Sequence, residues 1–202
     1  MLPLRGEAKI QVLMKKILVF VILSLLVLQG RSETNFVKGY RGYVDAGYSI
    51  GCGDYGFGRI EINTSHGYQF CPYFFLGAGL GLHYMSSYET DGMETPLDQR
   101  DSKVDIPVFA NVRCIFTKKK IAPFVDLKAG AFLTNNGELY INASVGCRFA
   151  LNSKQAVNVS VGYATEKLEF EMFSKYTDYP KYTTNPTKRD TELITLKLGF
   201  EF

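Results

Sequence analysis

His83, Ser86, Ser87 and Glu89 are the one place in this 202-residue chain where an imidazole, hydroxyls and a carboxylate fall close together. Nucleophilic transfer would need His83 to take a proton from a serine within hydrogen-bond reach while a carboxylate orients the ring. The local pattern works against that use, because His83 falls on one face of an extended segment and the serines open a loop. The other histidine, His66, shares a parity with apolar residues and is assigned no role. Cys52, Cys71, Cys114 and Cys147 form no CxxC pair and have no His/Cys cluster beside them, so zinc is not indicated. No catalytic residue, cofactor or metal is expected. What the chain does has to be read from the elements that carry its side chains.

Near the N-terminus Lys15 and Lys16 follow an internal Met14, and Ile17 to Leu28 is apolar except for Ser24. Gly30 and Ser32 then offer small residues for cleavage. This is the pattern of a secretory signal peptide, and the apolar run is shorter than the roughly 20 residues a spanning helix needs. Residues 1–13 add no recognisable element, so translation is expected to start at Met14. The plan is an extension and signal peptide over 1–32, then one domain over 33–202. The net charge of +3 comes from 23 basic and 20 acidic residues. Removing Arg5, Lys9, Lys15, Lys16, Arg31 and Glu7 leaves 18 against 19, or −1. A near-neutral chain has no surplus to neutralise a run of phosphates, which argues against nucleic acid. Lys118-Lys119-Lys120 is the basic cluster that stands out; it reads as a solvated turn, with lipid phosphates the alternative.

Hydrophobicity alternates with period two along most of the domain, which means strands. In 40–50 Tyr40, Val44, Ala46, Tyr48 and Ile50 oppose Arg41, Asp45 and Ser49; in 60–70 Ile60, Ile62, Tyr68 and Phe70 oppose Glu61, Asn63, Ser65 and Gln69. The stretch "YFFLGAGLGLHYM" puts Phe74, Leu76, Ala78, Leu80, Leu82 and Tyr84 on one face and Gly77, Gly79, Gly81 and His83 on the other. Further strands are expected over 104–116, 123–133, 139–149, 157–163 and 193–202, with Pro107 awkward for a ladder and Asn135-Asn136-Gly137 a hairpin turn signal. That makes about eight strands. The connections Ser86–Lys103 and Glu166–Asp190 read as long polar loops and the others as short turns.

A soluble sandwich buries its apolar face, whereas a barrel in a bilayer turns that face to lipid around a polar lumen. The second faces here are rich in Gly and Ser and carry both charge signs: Arg41, Arg59, Arg113, Lys128, Arg148 and Lys197 against Asp45, Glu61, Asp105, Asp126 and Glu201. Buried charges must pair. The expected interior is a salt-bridged lumen, and glycines on the inward face make room for bulky neighbours across it. Closure satisfies backbone groups that hydrocarbon cannot, and eight strands leave a lumen that side chains fill. Cys114 and Cys147 share the apolar face with a strand between them, roughly 10 Å apart and too far to bridge. Cys52 and Cys71 fall at opposite ends of the second strand.

The chain finishes "LITLKLGFEF", apolar at alternate positions with Phe200 and Phe202 last on that face. This ending resembles the C-terminal assembly signal of Gram-negative outer-membrane proteins. With the leader and the Gly-rich strands, the domain resembles the small eight-stranded outer-membrane barrels of the OmpA-barrel and OmpX type. The resemblance implies an all-β, antiparallel, up-and-down transmembrane barrel in the outer membrane. It further implies periplasmic chaperones and the barrel-assembly machinery during biogenesis, outer-membrane lipid as surroundings, and short turns in the periplasm. The long loops then lie outside, where Tyr176, Tyr179 and Tyr182 would offer a recognition surface to an extracellular ligand. The expected role is structural, adhesive or recognition-based, for a monomer, with narrow conduction secondary. Two alternatives are a secreted lipocalin-like binding barrel and a lipid A modifying enzyme of the kind some small outer-membrane barrels resemble, which would draw on the His83 cluster.

Overall fold

The computed structural model describes residues 38–52, 57–89, 97–134, 137–173 and 184–202. The expected leader over 1–32 with its start at Met14, and Tyr176, Tyr179 and Tyr182, lie outside them. The period-two segments fold as strands: β1 (Gly39–Gly51), β2 (Gly58–Cys71), β3 (Phe74–Met85), β4 (Tyr88–Glu89), β5 (Leu97–Arg100), β6 (Lys103–Asp105), β7 (Pro107–Ile115), β8 (Ile121–Phe132), β9 (Leu139–Ala150), β10 (Ala156–Phe173) and β11 (Thr184–Glu201). Neighbours pair antiparallel around a ring, and β11 returns to β1 with Tyr43 opposite Glu201 and Gly51 opposite Leu193. Because β6 and β7 share one place beside β3, eight strands close the wall. The end that holds Gly39, the connections at 72–73, 116–120 and 151–155, and Phe202 is the turn end; the opposite one is the loop end.

Pro107 breaks one strand into two. It opens β7, the position where a missing N–H costs a ladder least, and Ile106 N–H turns aside to Thr134 Oγ1 at 3.0 Å. In the neighbouring β8–β9 connection Gly137 takes φ +73°, the left-handed conformation that its turn demands of glycine.

The two long connections are not the plain loops their polarity suggests. Glu166 to Phe173 continues β10, Thr184 to Asp190 belongs to β11, and β4, β5 and β6 form between Ser86 and Asp105. Pairing between β10 and β11 runs to Met172 opposite Thr184, although β9 leaves β10 at Glu166 and β1 leaves β11 at Leu193. The edge of β10 vacated by β9 is taken by β5, which in turn pairs β4. Beyond the hydrocarbon the outward face no longer has to be apolar, so the strand continues where the apolar residues change sides: Tyr163 is exposed, whereas Leu168 is buried.

The burial sense is inverted. Leu80, Leu82, Leu196 and Leu198 expose between 51 and 60% of their surface, whereas Arg59 and Glu61 expose none. A soluble lipocalin-like barrel requires the reverse, and that alternative is overturned. From Phe74 to Tyr84 ten steps of about 3.4 Å, tilted roughly 40°, give an apolar band about 26 Å tall, close to the height of a bilayer core. The fold is a closed transmembrane β-barrel.

The glycines of "YFFLGAGLGLHYM" face the lumen, and aromatic rings lie over them. A Cβ on Gly79 would sit 2.2 Å from the Thr64 carbonyl oxygen and 2.7 Å from the Phe109 ring; on Gly77 it would meet the Phe75 ring at 2.7 Å. Both rings are buried and complete the interior. We expect Gly79→Val to destabilise the barrel by about 1–3 kcal/mol or more through overpacking. Urea unfolding in detergent micelles should show a lowered midpoint, while Ala78→Val on the lipid face leaves it within about 0.5 kcal/mol.

Candidate functional site: the barrel lumen

All eleven charged residues assigned to the lumen from sequence point inward and are buried. Their partnerships can be followed from the turn end upward. Arg148 of β9 grips Glu201 of β11 through two hydrogen bonds of 2.6 and 3.0 Å, and Arg41 Nε lies 3.9 Å from the same carboxylate. Arg41 also donates to the carbonyls of Ser153 at 2.9 Å and Lys154 at 2.7 Å, tying the lumen to the 151–155 connection. Next, Asp126 Oδ2 accepts from Arg113 Nε at 2.7 Å and from Asn111 Nδ2 at 3.0 Å. The Arg113 guanidinium packs 4.0 Å from the Tyr43 ring and 4.5 Å from Phe124, which desolvates it on both sides.

Lys128 of β8 donates to Asp45 Oδ2 at 2.6 Å. In ring order β8 stands opposite β1, so this bond spans the barrel's diameter. Above it Lys197 donates to Asn142 Oδ1 at 2.5 Å and approaches Glu61 Oε1 at 3.6 Å. Arg59 is shared between two acids: it donates to Glu61 Oε2 at 2.8 Å and to both oxygens of Glu166 at 2.7 and 2.6 Å. Asp105 accepts from Thr134 Oγ1 at 3.0 Å near the loop-end rim. Apolar clusters flank the charges, with Phe57, Met85, Ala164, Leu168 and Leu193 towards the loop end and Ile115, Ala122 and Phe124 towards the turn end.

Glu166 was read from sequence as the first residue of a loop; it is an inward strand residue and 2% exposed. With it the buried set among the described residues holds six cations, Arg41, Arg59, Arg113, Lys128, Arg148 and Lys197, and six carboxylates, Asp45, Glu61, Asp105, Asp126, Glu166 and Glu201. Two signals pointed to it. Its parity continues that of Gly162 and Ala164, and the sequence-derived set of six cations and five acids was one carboxylate short. Buried Tyr43, Ser49 and Thr195 line the interior on the same parity as the charges, and Tyr140 joins them.

The geometry that nucleophilic transfer would need is not found at His83. Its Nε2 meets Asn63 Oδ1 at 3.0 Å and lies 3.9 Å from Glu61, and its ring packs edge-on to Tyr140 and Phe132. Ser86 Oγ instead bonds the backbone of Gly58 at 3.1 Å, and Ser87 is exposed. His66 faces the lipid side, with Tyr40 Oη 2.5 Å from Nδ1 and Thr64 Oγ1 2.9 Å from Nε2, which satisfies both ring nitrogens. All four cysteines are free, and β8 separates Cys114 from Cys147. The backbone of Phe202 closes the ladder with Gly42 at 2.8 and 2.9 Å, and its ring covers that glycine: a Cβ on Gly42 would lie 2.5 Å from it. Phe200 stacks on Phe202 at 6.4 Å.

No family model matches the chain, and no curated protein does. Two similar solved structures are a de novo designed transmembrane β-barrel and the outer membrane enzyme PagL. The first is 15% identical over 85% of this chain and 98% of that one, with a TM-score of 0.44. PagL is 15% identical over 78% of this chain and 97% of that one, also at 0.44. The chemistry of the lumen therefore has to be argued from its own side chains.

Removing one member of a buried ion pair strands the other, at a cost of about 3–5 kcal/mol. Glu166→Ala leaves Arg59 with Glu61 alone, so a loss towards the lower end of that range is expected. The measurement is a double-mutant cycle with Arg59→Met by urea unfolding: the double variant should recover part of the single variant's loss, and strict additivity would disprove the coupling.

Proposed function

We propose that the protein is an outer-membrane barrel without enzymatic activity, serving envelope structure, adhesion or surface recognition through its loop end. One observation carries this reading: β10 and β11 are 18 residues each, well beyond the roughly 9–11 that a spanning strand needs. With β5 and β4 they extend a sheet past the ring by roughly 20 Å at about 3.4 Å per residue. The lumen is occupied by paired charges and apolar side chains, which supports a brace against radial collapse rather than a passage. The extended sheet and the connections it carries are then the part available to a partner outside the cell.

The exported leader, the periplasmic turn end and the folding route through chaperones and the assembly machinery belong to the same reading. PagL is an outer membrane enzyme, but a lipid A modifying activity finds no support in the contacts of His83, whose ring is held by Asn63 rather than by a serine. The test is made on whole cells. Outer-membrane extract run unboiled and boiled should show a heat-dependent mobility shift, and surface protease should cut within 86–103 or 166–190. Replacing 168–190 by a short turn should preserve the shift and abolish cell adhesion or ligand capture. An altered lipid A mass profile in cells expressing the protein would reverse the non-enzymatic assignment.

A further inference from the structure

The two ends of the barrel differ in charge. Around the loop end both signs alternate, with Asp101, Lys103, Lys167, Asp190 and Glu192 all exposed. At the turn end Lys38, Lys118, Lys120 and Lys154 are exposed and Lys119 is half-buried. Among the described residues of that end the sole acid side chain is Glu201, which is buried against Arg148 and Arg41. Among the described residues the exposed charged side chains of the turn-end rim are therefore all basic, although the chain beyond residue 32 is close to neutral.

Two of the lysines are also held at a particular height. Lys118 Nζ lies 5.8 Å from the centroid of the Tyr73 ring, and Lys38 Nζ 6.0 Å from that of Tyr68. Tyr68 and Tyr73 are exposed members of an aromatic girdle, the level at which amphipathic rings meet lipid headgroups. A cation held over such a ring is kept within the headgroup layer instead of reaching into water.

We infer that the turn-end rim of Lys38, Lys118, Lys119, Lys120 and Lys154 binds the anionic phospholipid headgroups of the leaflet it faces. The partner is a lipid surface rather than an acidic protein because Lys38 and Lys118 stand over exposed tyrosines at headgroup level, and the lysines come from three places on the rim: before β1, in the 116–120 connection and in the 151–155 connection. Attraction to an anionic surface is worth about fivefold in affinity for one well-placed lysine, falling with ionic strength. The inference rests on the barrel spanning a bilayer, which the gel shift reports separately.

The chain contains no Trp and has 13 Tyr, so its own tyrosine fluorescence reports neighbouring lipid. The full chain is refolded into phosphatidylcholine vesicles that contain phosphatidylglycerol, with bromine carried on one lipid or the other. Brominated phosphatidylglycerol should quench several-fold more effectively than its share of the bilayer predicts, and high salt should remove the excess. Changing all five lysines to Gln should abolish the excess while the protein still shifts on the gel. The pair Lys103→Gln and Lys167→Gln at the loop end should retain it. If the five-fold variant fails to shift, the triple variant K118Q/K119Q/K120Q replaces it and should lose most of the preference. Equal quenching by both lipids in the unmodified protein overturns the inference, as does a preference that survives loss of the turn-end lysines. Lysine-dependent binding of soluble polyglutamate without any lipid preference would transfer the surface to an acidic protein.

Discussion

The pairing of charge inside the barrel is the interaction on which the rest of the structure depends. Turning apolar side chains outward to hydrocarbon leaves the inward parity of every strand to polar residues, in a space too narrow to solvate them as bulk water would. Six cations and six carboxylates then have to find one another at close range. The bonds do so across the ring, as Lys128 to Asp45 and Arg59 to Glu166, and each such bond sets the separation of two distant walls. Glycine makes room beside long charged side chains: a Cβ on Gly47 would lie 3.0 Å from Lys197 and 3.3 Å from Glu61. The aromatic rings laid over Gly77 and Gly79 fill what the charges leave.

Most of the wall was legible because its signal is local. Hydrophobic alternation in β1, β2, β3, β8 and β9 reports which side of a strand faces lipid, and each segment carries that information alone. The region after Tyr163 was read differently for a physical reason. In "ATEKLEFEMF" period two persists but the apolar parity switches: Ala164, Leu168, Phe170 and Met172 alternate with Thr165, Lys167, Glu169 and Glu171, so a reading that follows the apolar face of Val157, Val159, Val161 and Tyr163 ends at the switch. The backbone ladder continues because β11 supplies its partners, a fact written in another segment of the chain. Glu166 was lost with that boundary, although the charge count already called for it. Some ion pairs are local, as Arg59 with Glu61 two residues away, but others are not: Arg59 is 107 residues from Glu166, and nothing near either residue specifies the other. By contrast, the break at Pro107 follows from the chemistry of proline alone, and its place at a strand start was the remaining way to keep it in the wall.

The enzyme question shows the same division between type and position. A histidine followed within a few residues by serines satisfies a composition rule, but period two sends His83 inward and commits its ring to Asn63. Ser86 lies just past the end of β3, where its hydroxyl serves the neighbouring strand's backbone. Cysteines on the lipid-facing parity behave likewise as small side chains, separated by strand geometry rather than by any feature of the residues themselves.

The joint between β1 and β11 places Tyr43 beside Glu201, whereas every other seam of the wall joins strands adjacent in the chain or nearly so. Seven seams can therefore zip as hairpins, but the eighth can form only after all the others have been laid down. Until that moment the sheet has two open edges, each a template for pairing with a stranger. The long-range seam is thus the slow step and the hazardous one, because the entropy of bringing distant segments together precedes any reward from their contact. Gly42 lends this seam a lock: its bare backbone accepts the ring of Phe202 as the two strands meet. A chain of this kind spends its vulnerable interval as an unclosed ribbon, and its survival depends on shielding two edges until the last strand finds the first.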